Sequence, residues 1–138
     1  MKMEHPRVID TRTATLELVS DALVEVRFKP DVKLDVAGMS EIVQAKRTLI
    51  AGKKIDVLAV LPPEIDFELN VLSVDHAAEH GGCGTGGRLA LAAQSAFNER
   101  ISNIYFRYHP RETSTGIFIS EADARKWLDT KLPTPSAS

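Results

Sequence analysis

The sequence is poor in cysteine. Cys83 is the single cysteine among 138 residues, so no disulfide can form within the chain, and a reducing compartment is the simpler interpretation. No stretch is long and apolar enough to span a bilayer, and the N-terminal residues lack the apolar core of a signal peptide. These three absences together predict a cytoplasmic protein.

An excess of charge of one sign is also missing. Seventeen basic residues are balanced by 19 acidic ones, which gives a formal net charge of −2. Such a chain has no overall positive field to attract nucleic acid or anionic lipid, so neither nucleic acid nor a membrane is expected as a partner. Hydrophobic residues (43%) and charged residues (26%) occur at the levels usual for globular domains.

Hydrophobic periodicity predicts a hairpin followed by alternating helices and strands. Residues 55–61 form a near-continuous apolar run, which is typical of a strand buried on both faces. The predicted order β-β-α-β-α-β-α-β-α indicates an α/β (α+β) fold, a single-domain mixed sheet of about five strands with helices packed on it. The predicted strands are 13–19, 23–29, 55–61, 88–93 and 115–120, and the predicted helices are 36–50, 66–80, 96–108 and a last one starting after Ser120.

The domain boundaries follow from composition. We expect a flexible N-terminus over residues 1–10, one domain over 11–130 and a disordered tail over 131–138. In the helix that Ser95 caps, an apolar stripe recurs at helical spacing and is expected to face the core. Its members are Phe97, Ile101, Ile104, Tyr105 and Tyr108. Phe106 lies off this stripe and is expected either to be tucked under a neighbour or to belong to an interface.

Gly82, Gly84 and Gly87 match the G-x-G-x-x-G pattern of dinucleotide-binding loops. That pattern binds phosphate when it follows a strand and opens a helix, whose N-terminus meets the pyrophosphate. Here the glycines follow a predicted helix and precede a predicted strand. We therefore expect a mobile connector over residues 81–87 and no nucleotide or other cofactor.

His76, His80 and Cys83 are spaced i, i+4 and i+7, so an unbroken helix would place all three on one face as potential zinc ligands. Gly81 and Gly82 are expected to end the helix before Cys83, and no fourth ligand lies nearby in sequence. No nucleophile, base and orienting group can be assembled either. We expect no metal and no catalytic residue, and a metal- or thiol-dependent enzyme is the least favoured class.

Four segments carry a resemblance to a known family. The chain resembles the STAS fold of SpoIIAA-like proteins, and more closely an uncharacterised bacterial STAS/SEC14-like family. The resemblance covers about residues 11–130, and its motifs are structural. The matching segments are TATLELVSDALVEVRFKP, IDVLAVL, LALAAQSAFNERISNIYFRYHP and GIFISEADARKWL.

The resemblance implies a non-catalytic regulatory or protein-interaction module. It puts the partner-facing region after the third predicted strand, at a helix start near Asp66, and there Phe67 and Glu68 stand where SpoIIAA has its switch serine. A protein partner is therefore expected at the polar residues Glu64, Asp66 and Glu68. The alternative is a carrier or sensor of a small apolar ligand, which requires an internal cavity. The oligomeric state stays open, with a homodimer as one alternative.

Overall fold

The structure, a computed structural model, describes residues 7–75, 87–110 and 114–130. Its first half is antiparallel. Strand β2 (Ala14–Ser20) and strand β3 (Leu23–Phe28) form the predicted hairpin, and β1 (Val8–Asp10) pairs with the outer side of β2. Val8–Asp10, which the sequence analysis placed in the N-terminal segment outside the domain, thus add a sixth strand to the sheet.

Helix α1 (Val36–Ile50) begins and ends where the sequence predicts. The Asp35 side chain accepts a hydrogen bond of 2.7 Å from the Gly38 backbone N–H, which satisfies one of the free donors at the helix start. The Arg12 guanidinium and this N–H hold the pKa of Asp35 below its ordinary value. The helix ends with Ala51 in the left-handed region (φ 53°), followed by Gly52 at φ 78°.

The second half of the sheet is parallel. Strands β4 (Asp56–Val60), β5 (Leu89–Ala92) and β6 (Thr115–Phe118) follow β3 side by side, so the sheet order equals the chain order, β1 to β6. The apolar run predicted to be central is β4, which lies between β3 and β5. Where the sequence predicts a helix over 66–80, the described part holds only a 3-10 helix, Leu69–Ser73.

The remaining two helices lie on opposite faces of the sheet. Helix α2 (Ala96–Tyr108) packs with α1 against the first face, and α3 (Glu121–Asp129) covers the second face over β4, β5 and β6. Both begin as predicted, because the Ser95 and Ser120 hydroxyls accept the backbone N–H three residues on, at 3.1 Å each. None of the helices in the described ranges has the length and apolar character needed to cross a membrane.

The predicted buried stripe of α2 is wrong for most of its members. Phe97 is 61% exposed, Ile104 38% and Tyr108 74%, whereas the polar side chains of Asn98 and Ser102 are buried. The helix is therefore rotated so that its amphipathic stripe lies at the margin of the core. Phe106 is half-buried and packs against the core, as the tucked alternative requires.

On the second face, four charged side chains link β3 to α3. The Arg27 guanidinium donates to both carboxylate oxygens of Glu121 (2.8 and 3.1 Å) and to Glu25 (3.1 Å). Arg125 pairs with the same two carboxylates. These contacts lower the pKa of Glu121 to about 2, with Arg27 the largest cause.

Candidate functional site

The segment that follows β4 crosses the carboxyl ends of the parallel strands. It leaves the sheet at Pro62 and runs alongside the residue that precedes α1. The Leu34 N–H donates to the Asp66 carbonyl and the Glu68 N–H donates to the Leu34 carbonyl, both at 2.9 Å. These bonds make a short parallel bridge between Leu34 and Phe67, so the backbone here is extended.

The segment leaves a turn at Pro63 and Glu64, and exposure then alternates from one residue to the next along residues 64–68. Glu64, Asp66 and Glu68 are exposed, and we call these three residues the acidic surface. The intervening Ile65 and Phe67 are half-buried and pack against the core. The predicted helix start at Asp66 is wrong, since the 3-10 helix begins at Leu69 and no side chain caps it.

Asn98 fixes this segment to α2. Its side-chain amide donates to the carbonyls of Pro62 (2.8 Å), Pro63 (3.3 Å) and Ala93 (2.8 Å), and the residue is only 3% exposed. A buried amide that meets three backbone carbonyls satisfies groups that would otherwise be costly to bury. Sequence reasoning missed Asn98, because its neighbours Glu99 and Arg100 are also polar and no local signal distinguishes it.

An apolar cavity of about 130 Å³ lies beneath the acidic surface, between α2, the 3-10 helix and the sheet. Ile65 and Phe67 form part of its wall. None of the described residues that line it is charged, and the polar ones are Asn98, Ser102 and Tyr105. The other lining residues are Phe28, Leu34, Met39, Leu61, Val71, Leu72, Leu91, Ile101, Tyr105 and Phe106.

Two polar contacts hold the 3-10 helix against α2 and so maintain one side of this cavity. The Tyr105 hydroxyl donates to the Val74 carbonyl at 3.0 Å, and the His109 Nε2 lies 3.0 Å from the Leu72 carbonyl. The rings of Tyr105 and His109 also contact each other, with centroids 4.8 Å apart. The exit from the 3-10 helix is thereby tied to the end of α2.

The other candidate residues fall largely outside the described part of the chain. The structure does not describe five of them, and the metal, thiol and connector predictions therefore stay predictions. These five are His76, His80, Cys83, Gly82 and Gly84. Within the described ranges, no three His, Cys, Asp or Glu side chains are close enough together to hold a metal ion.

The third glycine of the pattern, Gly87, is described, and packing explains it. A Cβ at this position would lie 1.9 Å from the Ile55 carbonyl oxygen, so only glycine allows the chain to pass so close to the residue before β4. The residues that follow form β5, as predicted.

The architecture defines the class of protein. A solved structure from Shewanella loihica PV-4, an uncharacterized protein of the DUF3478 family with a SpoIIAA-like fold, matches with a TM-score of 0.53. The two share 16% sequence identity over 88% of this chain and 90% of that chain. The fold of this protein is therefore SpoIIAA-like, as the resemblance implies.

A family assignment follows from the sequence itself. The family described as a domain of unknown function, DUF7793, matches residues 17–132, and the chain belongs to this family. Comparison with curated proteins gives no significant match.

Proposed function

We propose that this protein is a non-catalytic regulatory module of the STAS-like type, which works in the cytoplasm by binding a protein partner through the acidic surface. The observation that carries the proposal is the exposure of Glu64, Asp66 and Glu68 along one anchored segment. None of these carboxylates forms an ion pair with a residue in the described ranges. Their charge is thus available to a partner.

Rigidity supports the same proposal. Two consecutive prolines open the segment, Asn98 holds their carbonyls, and two backbone hydrogen bonds tie the segment to Leu34. A surface that is already ordered loses little conformational entropy on docking. The chemistry that complements three exposed carboxylates is a basic patch, whose attraction speeds association and weakens as salt is added.

The experiment reverses the charge of the acidic surface. The triple variant Glu64→Lys, Asp66→Lys, Glu68→Lys should keep a wild-type circular dichroism spectrum and unfolding midpoint, because exposed substitutions usually change stability by less than about 0.5 kcal/mol. It should no longer retain the partners that the wild-type protein captures from its native lysate. The matched control reverses three exposed carboxylates elsewhere, Glu17→Lys, Asp21→Lys, Asp31→Lys, and should capture the same partners as wild type. If both triple variants capture the wild-type partners equally well, the acidic surface is not the docking site.

The cavity favours a second candidate function, the binding of a small apolar ligand. An apolar cavity of about 150 Å³ is large enough to take up benzene. The cavity here has a similar volume of about 130 Å³ and is partly open to the surface. Toluene is a suitable probe, detected by ligand-observed NMR. Ile101→Phe should abolish its binding by filling the cavity, whereas Ile104→Phe, on the exposed side of the same helix, should not. If toluene does not bind the wild-type protein, this second function is wrong.

A further inference from the structure

The described part of the cavity wall carries a polar side-chain group that has no hydrogen-bond partner, the Ser102 hydroxyl. Ser102 is 7% exposed and lines the cavity, yet its hydroxyl makes no hydrogen bond with any residue of the chain that the structure describes. A helical hydroxyl can bond back to the carbonyl four residues earlier, as Thr48 does to Gln44 at 3.1 Å. The Ser102 hydroxyl is thus left to meet whatever occupies the cavity.

Asn98 lies one turn earlier on the same face of α2, but its amide does not donate a hydrogen bond into the cavity. Its amide hydrogens are already committed to the backbone carbonyls of Pro62, Pro63 and Ala93. Ser102 can both donate and accept a hydrogen bond. An occupant with a single hydroxyl group could therefore pair with Ser102 and leave no buried polar group unsatisfied.

The rest of the wall restricts the body of the occupant. The described residues of the wall include no charged side chain, so they would give an ionised ligand no counter-charge in return for its lost hydration. Four aromatic rings, those of Phe28, Phe67, Tyr105 and Phe106, contribute to the wall and favour edge or offset contacts with a planar ring. The volume of about 130 Å³ admits one such ring.

We propose that the cavity binds a neutral, single-ring phenol, with the ring against the aromatic wall and the hydroxyl hydrogen-bonded to Ser102. This inference rests on the second proposed function, the binding of a small molecule in the cavity. It names the chemical class of the ligand and the side chain that recognises it.

The experiment compares phenol with toluene, which has nearly the same shape but carries a methyl group in place of the hydroxyl. Dissociation constants are measured by NMR titration for the full-length wild-type protein and for Ser102→Ala. Loss of one hydrogen bond should weaken phenol binding about fivefold and leave toluene binding unchanged or slightly stronger. Ser73→Ala, which removes an exposed hydroxyl from the 3-10 helix, should change neither constant.

The outcomes separate the two levels of the proposal. If both probes bind wild type but the ratio of their dissociation constants is the same in Ser102→Ala, the cavity function stands and the phenol assignment is wrong. If neither probe binds, both are wrong. Benzoate, which is ionised at neutral pH, should bind at least tenfold more weakly than phenol, and equal binding would refute the requirement for a neutral ligand.

Discussion

Arg88 links the start of β5 to the end of α3. Its guanidinium pairs with the Asp56 carboxylate at 2.9 Å and donates to the carbonyls of Leu128 (2.8 Å) and Thr130 (2.9 Å). The last carbonyls of a helix lack partners within the helix and attract positive charge. The side chain of Arg88 is only 9% exposed, and its guanidinium carbon lies 5.4 Å from the centre of the Trp127 ring. One buried cation thus joins two strands to a helix.

Replacing Arg88 with methionine should lower the free energy of unfolding by about 3 kcal/mol, because the Asp56 carboxylate and the helix-end carbonyls lose the guanidinium that they share. Urea denaturation measures this change. Arg100→Met serves as the control, since Arg100 is exposed and makes no ion pair with a described residue. Its effect should stay within about 0.5 kcal/mol, and similar losses in the two variants would contradict the role of Arg88.

The range of an interaction decides which residue roles can be predicted from sequence. The helix starts after Asp35, Ser95 and Ser120 were predicted correctly, because each of these side chains bonds to a backbone group three residues away. The roles of Arg88 and Asn98 were not predicted. Their partners lie 32 to 42 residues away for Arg88 and up to 36 for Asn98, so no local pattern records them.

Among the elements, α2 shows what periodicity leaves undetermined. Its apolar residues recur at helical spacing as predicted, but this spacing does not determine which side of the helix faces the sheet. Asn98 has to reach the carbonyls of Pro62 and Ala93, and this requirement turns the Asn98–Ser102 side inward. Phe97 and Tyr108 are exposed as a result, and the cavity has a partly polar wall that the sequence did not predict.

The link between β3 and α3 predicts a dependence of stability on pH. The pKa of Glu121 is lowered to about 2 in the folded state, mainly by Arg27, from an ordinary value of 4.5. A lowered folded-state pKa contributes stability that is fully present above pH 4.5 and is lost as the pH falls towards 2. Wild type should therefore be more stable than Glu121→Gln at pH 6, and this difference should shrink steadily between pH 5 and pH 2.

Thermal unfolding of both proteins across that pH range tests the expectation. Glu17→Gln is the control, because Glu17 is exposed and forms no ion pair with a described residue. The free energy of unfolding of Glu17→Gln should differ from that of wild type by less than about 0.5 kcal/mol at every pH in this range. If the difference in stability between wild type and Glu121→Gln does not change with pH, the charge of the Glu121 carboxylate contributes nothing to stability.

At the scale of the whole molecule, β4 carries the core on both of its faces. Val57 and Ala59 belong to the larger cluster under α1 and α2, whereas Leu58 and Val60 belong to the cluster under α3. The sequence predicted this central position because only a strand covered on both sides can be apolar throughout. The strand β1 escaped prediction, since three residues are too few to show a reliable alternation.

Leu58→Asp should prevent folding, because Leu58 is fully buried and an unpaired carboxylate in its place costs several kcal/mol. Loss of the cooperative unfolding transition in circular dichroism is the expected result. Leu69→Asp makes the same chemical change at a leucine that is 78% exposed, and this variant should unfold like wild type. A folded Leu58→Asp protein would contradict the central position of β4.

The alternation of residues 64–68 has a thermodynamic consequence. One stretch of backbone supplies Ile65 and Phe67 to the wall of the cavity and the three carboxylates to the outer surface. A molecule that displaces the inner side chains also displaces the outer ones. Under the two proposed functions, a ligand that shifts Ile65 and Phe67 would change the affinity for the partner, and the partner would change the affinity for the ligand by the same factor. Through this coupling, the concentration of a small molecule would set the fraction of the protein available to its partner.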